Sequence, residues 1–168
     1  MITASAIRHA RPDIRYDGFD LFEEMTPDLC AKEFSKMPQS EKNIYTALAQ
    51  TGATIQLWKG FSQDTLPRYV ASHPQPIDLI FIDGGHAIDT ITSDWQNVKK
   101  LMGKRTMVIF DDYYCNPDTE VKGIGCQTLI DALDRKTYNV STSTTTDHFR
   151  RSWGTLKIKL AFVSLTHV

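Results

Sequence analysis

The sequence has 168 residues, which corresponds to about one globular domain. Its 19 Lys and Arg residues against 20 Asp and Glu residues leave a net charge of −1, without the basic excess typical of proteins that bind nucleic acid or anionic lipid. No apolar run approaches the ~20 residues of a membrane span. Residues 1–13 lack the apolar core of a signal peptide. The three cysteines, Cys30, Cys115 and Cys126, form neither a disulfide framework nor a zinc pattern. We therefore expect a cytoplasmic protein that binds neither nucleic acid nor membranes.

The first half of the chain alternates predicted helices and strands, as judged from apolar spacing and turn residues. The predicted elements are a helix over Ile2–Ala10, a strand over 14–20, a helix capped by Thr26 that ends at Met37, a helix capped by Ser40 that stops at Gly52, a strand over 53–60 and a short helix around 64–72.

The second half continues the alternation. Residues 77–83 and 106–112 are nearly continuous apolar runs that end in acids, as expected for strands covered on both faces. Between them, apolar residues step by three and four along 87–102 and predict an amphipathic helix with Trp95 in the core. The remaining predictions are a helix around 124–135 and strands over 138–143 and 155–165, with a polar loop at 141–146.

Strands that alternate with helices indicate an α/β fold with a mainly parallel, Rossmann-like sheet and helices on both faces. The last two strands lack an intervening helix, so we expect a C-terminal antiparallel hairpin at one edge. Residues 1–168 are predicted to form a single domain. Open α/β sheets bind ligands at the carboxyl ends of their strands.

Three predicted strands end in carboxylates at that edge: Asp20, Asp83, and the pair Asp111 and Asp112. If the last two strands are neighbours, three carboxylates meet, and a hard divalent cation such as Mg²⁺ offsets their repulsion. His86 follows Asp83 by three residues, at a position from which a base reaches a substrate bound to that metal. Gly84 and Gly85 allow a sharp turn and close approach of a ligand.

Each of these residues also has a purely structural interpretation. An aspartate at the end of a strand is often the N-cap of the next helix, and a histidine after two glycines is often a solvated loop residue. Tyr113 and Tyr114 either line a pocket or pack on the end of the sheet. A phosphate-accepting receiver domain also clusters aspartates on parallel strands, but its acidic pair ends the first strand, whereas here the pair ends a late one.

The segments YDGFDLFE (16–23), DLIFIDGGH (78–86) and VIFDDYY (108–114) resemble class I S-adenosylmethionine-dependent methyltransferases, and most closely the metal-dependent O-methyltransferases of the macrocin and macrolide-sugar type. The resemblance implies that Asp20 binds the ribose of the cofactor and that Gly60, Phe61 and Ser62 hold the adenine. It further implies that Asp83, Asp111 and Asp112 are Mg²⁺ ligands, with Asp83 also adjacent to the cofactor, and that His86 is the general base.

The chain departs from this family at its N-terminus. None of the nine glycines lies there in a strand-to-helix turn, so the first family strand and its glycine-rich loop are missing, and Gly123-Ile124-Gly125 comes too late to replace the loop. The helix at 2–10 matches the one that follows that loop. We therefore expect an N-terminally shortened methyltransferase-like domain. Its central gap is closed by direct pairing of the flanking strands, by another segment or chain, or by residues encoded upstream.

Two functional hypotheses follow. The first is a Mg²⁺-dependent S-adenosylmethionine O-methyltransferase that acts on a hydroxylated small molecule, a sugar or glycoside. The second is a catalytically silent domain that binds a partner or associates with itself. Because a missing central strand leaves sheet edges exposed, we expect a homo-oligomer.

Overall fold

A computed structural model of the chain describes residues 14–33, 39–115, 123–151 and 154–166. The predicted helix at 2–10 and the predicted end of a helix at Met37 lie outside these residues. The chain divides into two compact units, residues 1–65 and residues 66–168.

The first unit contains a two-stranded parallel sheet. Its elements are strand β1 (Arg15–Asp20), a 3₁₀ turn (Phe22–Glu24), helix α1 (Pro27–Lys32), helix α2 (Glu41–Ala49), strand β2 (Thr54–Lys59) and the start of helix α3 (Ser62–Ser72). The predicted caps are confirmed: the hydroxyls of Thr26 and Ser40 each accept a backbone N–H at 3.3 Å. Gly52 follows α2 with φ of 79°, the left-handed conformation that ends a helix without steric cost only for glycine.

The second unit contains a five-stranded sheet in the order β3-β4-β7-β5, with β6 also paired to β7. Its elements are β3 (Leu79–Ile82), α4 (Ile88–Val98) with a 3₁₀ turn (Lys99–Leu101), β4 (Met107–Tyr114), α5 (Gln127–Asp131), β5 (Tyr138–Thr142), β6 (Asp147–Arg151) and β7 (Gly154–Leu165). β3 and β4 are parallel, because α4 carries the chain back between them. The ladders that involve β7 are antiparallel. The predicted α/β class with antiparallel C-terminal strands is confirmed.

Helix α4 forms the core of the second unit with β4. Ile91, Trp95 and Val98 are buried, as their spacing predicts. The Trp95 ring lies 5.6 Å from the ring of Phe110 on β4 and 5.4 Å from that of Tyr138 on β5. This packing fixes β4, which carries two of the predicted site residues.

Three predictions about elements need correction. The sequence does not predict β6, because its polar residues DHFRR have no apolar alternation. They form a strand because they pair with β7. The helix expected around 124–135 is only Gln127–Asp131, since Gly125 precedes it with φ of 79° and a turn that Asp134 caps follows it. The helix expected over 87–102 tightens into a 3₁₀ turn after Val98. No helix in the described part of the chain combines the length and apolarity needed to cross a membrane.

Candidate active site

The pairing of β3 with β4 brings predicted acidic residues to one edge of the sheet. Ile82 lies opposite Phe110, so Asp83 and Asp111 follow at the same end of the two strands. When Asp83 is protonated, its carboxyl group donates a hydrogen bond to the Asp111 carboxylate. Asp83 does not cap α4, whose N-cap is Ala87. The predicted proximity of the two carboxylates is thus confirmed, and the N-cap interpretation of Asp83 is wrong.

A bulge in β4 brings Asp112 to the same place. The β4–β7 register shifts between Phe110 and Tyr113, and Asp112 has φ of 58°. Side chains alternate between the faces of a regular strand, and a bulge interrupts that alternation. The Asp112 N–H donates to Asp111 Oδ1 at 2.8 Å. The strand was expected to end at residue 112 but runs on to Tyr114. It is the bulge, rather than the end of the strand, that lets two consecutive acids reach one point.

Burial and neighbouring charge raise the pKa of two carboxyl groups at this edge, Asp83 and Asp111. Partial burial, together with the charges of Asp111 and Asp112, raises the pKa of Asp83 to about 6. Partial burial also raises the pKa of Asp111, although the hydrogen bond from the Asp112 N–H opposes this change. Asp83 remains open to solvent on one side. The edge therefore holds negative charge at a cost, in a position that an incoming cation can reach.

His86 lies against this carboxylate group. Its Nε2 is 2.8 Å from Asp112 Oδ2, and its side chain is 22% exposed. The solvated-loop interpretation of this histidine is therefore wrong. Gly84 and Gly85 carry the chain from β3 to His86 without positive φ, and a Cβ at Gly84 would make only an ordinary contact with Asp94. The sequence predicts a sharp turn that needs these two glycines, but the backbone at Gly84 and Gly85 has no conformation that requires glycine.

The donor set fits a divalent cation. One ligand atom from each of Asp83, His86 and Asp112 lies within 4.8 Å of the other two, and Asp111 is hydrogen-bonded to Asp83. Carboxylate oxygens suit Mg²⁺, and the added imidazole nitrogen suits transition ions such as Mn²⁺ as well. A bound cation would neutralise the charge that raises the pKa of Asp83.

The first unit carries the other predicted residues at the ends of β1 and β2. Asp20 pairs in register with Lys59, and the Gly60 N–H donates to the Asp20 carbonyl at 3.0 Å. Asp20 Oδ1 accepts the Phe22 N–H at 2.9 Å, so this carboxylate has a local capping role as well. Gly60 has φ of 127°, a conformation that only glycine adopts readily.

Phe61 and Ser62 continue from Gly60 into α3. Phe61 is 47% exposed, and its carbonyl accepts the hydroxyl of the buried Thr65 at 3.0 Å. Ser62 is the first residue of α3. The structure thus places Asp20 and 60–62 at adjacent strand ends with an exposed aromatic ring, an arrangement suited to a planar ligand.

The sequence left the roles of Tyr113 and Tyr114 open and did not predict a contact of Gly125 with the site. Tyr114 is buried and packs against Leu156, whereas the Tyr113 hydroxyl donates to Asp131 at 3.0 Å. Gly125, set aside in the sequence as too late for a cofactor loop, lies directly against the site: its N–H donates to the His86 carbonyl at 2.8 Å. The only signal for this contact in the sequence is the paired glycines at 123 and 125.

Comparisons with known proteins bear on the family and the fold of the chain. A family model described as "Methyltransferase domain" matches residues 1–113, a range that includes every predicted site residue. No curated protein matches the chain.

Two solved structures share the fold. The O-methyltransferase from Bacillus cereus, in complex with S-adenosylhomocysteine, is 18% identical with a TM-score of 0.52, and the match covers 97% of this chain and 81% of that one. The O-methyltransferase TomG from Streptomyces achromogenes, involved in tomaymycin synthesis and in complex with S-adenosylmethionine, is 17% identical with a TM-score of 0.52, over 97% and 80% of the two chains.

Proposed function

This chain belongs to the family of methyltransferase domains, and on that basis we propose that it is an S-adenosylmethionine-dependent O-methyltransferase that uses Mg²⁺. The proposed acceptor is a hydroxyl group of a small molecule, a sugar or glycoside. The observation that carries the proposal is the convergence of Asp83, Asp111, Asp112 and His86 at the carboxyl ends of β3 and β4. Acids with a neighbouring base are what activation of a hydroxyl requires.

We assign the metal ligands to Asp83, Asp111 and Asp112, as the family resemblance implies. Their support is the clustering described above and the raised pKa values of Asp83 and Asp111. When bound, the cation would lower the pKa of the acceptor hydroxyl. The carboxyl groups of Asp83 and Asp111 would then be fully ionised, because the cation would balance the charge that opposes their ionisation.

His86 is the proposed general base. A neutral ring whose Nε2–H donates to Asp112 carries its basic lone pair on Nδ1, so Nδ1 is the atom to which we assign proton acceptance. The Asp112 carboxylate orients the ring and stabilises the charge that the ring gains. An imidazole suits this task because its unperturbed pKa lies near neutrality.

The proposed cofactor contacts follow the family resemblance: Asp20 for the ribose, Gly60, Phe61 and Ser62 for the adenine, and Asp83. Two observations support these contacts: the hydrogen bond from the Gly60 N–H to the Asp20 carbonyl, and the exposed ring of Phe61. The two structural neighbours are complexes with S-adenosylhomocysteine and S-adenosylmethionine.

We further propose a cytoplasmic homo-oligomer that binds neither nucleic acid nor membranes. Cys115 and Cys126 form no disulfide, as is usual in a reducing compartment. In the described residues β1 has one strand partner, β2, and β3 has one strand partner, β4. Sheet edges of this kind pair with a second copy. Light scattering tests the oligomer, and a stable monomer at all concentrations would contradict it.

Calorimetric titration of the protein with S-adenosylhomocysteine, with and without Mg²⁺, tests the cofactor. We expect saturable heat. Its absence at millimolar ligand in both conditions would refute the cofactor proposal and favour a domain that only binds a partner.

His86→Ala tests the base. We expect at least a hundredfold loss of methyl transfer with S-adenosylhomocysteine affinity unchanged within twofold. The matched control is His148→Ala, which removes an exposed histidine from β6. Equal turnover in the two variants would remove His86 from the mechanism.

A further inference from the structure

The segment from Gly123 to Cys126 is hydrogen-bonded to the backbone of both His86 and Asp112. The Gly125 N–H donates to the His86 carbonyl at 2.8 Å, and the Cys126 N–H donates to the Asp112 carbonyl at 3.0 Å. One short segment therefore bridges the loop after β3 and the bulge of β4. These are the two places from which His86 Nε2 and Asp112 Oδ2 meet.

Only glycine fits at position 125. A Cβ there would lie 2.7 Å from the Asp112 carbonyl oxygen and 2.6 Å from a ring carbon of Tyr114. Both distances are shorter than contacts that Cβ atoms make, and Tyr114 is buried, so its ring has little room to move. An added methyl group must therefore push the segment away from Asp112.

A shift of this kind reaches the Asp112 side chain directly. Asp112 already has a φ of 58°, which non-glycine residues adopt only where the surrounding structure holds them. Its carbonyl is held by the Cys126 N–H and its amide by the Asp111 carboxylate. Release of the carbonyl would let the bulge relax, and the carboxylate would turn with it.

We propose that Gly125 is a positioning residue for the cation site: it lets the segment 123–126 join the loop of His86 to the bulge of β4, which keeps the Asp112 carboxylate in place as a metal ligand beside His86. This inference rests on the proposed function only in taking a divalent cation as the ligand. Gly125→Ala should lower the affinity for a divalent cation by tenfold or more, the range found when groups that orient metal ligands are removed.

Gly123 provides a matched control within the same segment. Its φ of 83° is nearly that of Gly125, so alanine meets the same backbone strain at either position. Nothing lies within 4 Å of a Cβ at Gly123. The difference between Gly123→Ala and Gly125→Ala therefore isolates the close approach of position 125 to Asp112 and Tyr114.

The experiment is titration of the full chain and of both variants with Mn²⁺, followed by the electron paramagnetic resonance signal of the unbound ion. Circular dichroism verifies that each variant is folded. We expect Gly123→Ala to bind within twofold of the wild type and Gly125→Ala at least tenfold more weakly. Equal Mn²⁺ affinity of the two variants would overturn the inference.

A second readout separates this inference from the proposed function. The ring ¹⁵N signals of His86 in the metal-free protein report its contact with Asp112, and they should shift in Gly125→Ala but not in Gly123→Ala. If the wild type binds no Mn²⁺, the proposed metal site fails, and the ring signals alone decide: a shift specific to Gly125→Ala supports the positioning role, and unchanged signals refute it.

If Gly125→Ala does not fold, amide exchange in the wild type decides instead. Slow exchange at Gly125 and Cys126 relative to Gly123 supports the bridge, and equally fast exchange refutes it.

Discussion

Replacing Asp83 with asparagine should stabilise the metal-free protein at neutral pH while removing its affinity for divalent cations. The fold partly buries the Asp83 carboxylate beside those of Asp111 and Asp112, and this burial, together with repulsion between the charges, raises its pKa from 3.8 to about 6. Asparagine keeps the shape and the hydrogen-bonding capacity of the side chain without the charge. A site built to hold a cation should thus be a source of instability when the cation is removed.

The size of the effect follows from the pKa of Asp83. The rise in the pKa of Asp83 from 3.8 to about 6 corresponds to about 3 kcal/mol of unfolding free energy for a carboxylate that is fully buried away from water. Because Asp83 is open to solvent on one side, screening reduces the expected gain to about 1 kcal/mol, or ~2–4 °C in Tm for a chain of this length. Since the folded state has the higher pKa, the destabilisation is absent below about pH 4, grows as pH rises, and is complete above about pH 6.

Urea unfolding in EDTA at pH 7.5 and pH 4.5 measures this effect. Asp83→Asn should exceed the wild type by about 1 kcal/mol at pH 7.5 and by less than half of that at pH 4.5. The control is Asp78→Asn, which removes an exposed carboxylate (87% exposed) at the other end of β3, 3.8 Å from Arg105. With Mg²⁺ in place of EDTA, the unfolding midpoint should rise for the wild type and for the control but not for Asp83→Asn. An equal gain at both pH values, or a lower stability of Asp83→Asn at pH 7.5, would show that the Asp83 charge does not destabilise the metal-free fold.

Three further substitutions test the packing and hydrogen bonding of the second unit, each measured by urea unfolding. Phe110→Ala empties a fully buried position against Trp95 and should cost about 3–5 kcal/mol; a cost below about 1 kcal/mol would show that this core is loosely packed. Thr106→Val should cost about 2 kcal/mol, because the buried hydroxyl accepts one backbone N–H at 2.7 Å and donates to a carbonyl at 2.6 Å, and a neutral effect would mean that water replaces both bonds. Tyr113→Phe removes an exposed hydrogen bond to Asp131 and should change stability by less than about 1 kcal/mol, so a larger loss would assign this contact a role in holding the bulge.

Local patterns in the sequence predict much of this fold correctly. The three- and four-residue spacing along α4 identifies Ile91, Trp95 and Val98 as core residues, because one face of a helix must be apolar to pack on a sheet. Strand β6 illustrates the limit. Its residues have no alternation of their own, and they form a strand because β7 offers an edge with which to pair.

The candidate site divides in the same way. The acids and His86 can be located from the sequence, because buried strands that end in acids and neighbour each other must deliver those acids to one edge. Their chemistry is therefore a property of residue order: three carboxylates and an imidazole at the carboxyl ends of two parallel strands.

Only the tertiary structure decides that both Asp111 and Asp112 reach that edge, since a regular strand would send them to opposite faces. The bulge that overrides the alternation depends on a residue held at positive φ, and on a glycine more than ten positions later whose missing side chain allows the backbone to approach it. Contacts of this kind join segments distant in the sequence, and neither spacing nor composition encodes them. The 168 residues by themselves thus specify an ordinary α/β domain with acids at its strand ends, and the packing of one loop against one bulge gathers those acids into a site.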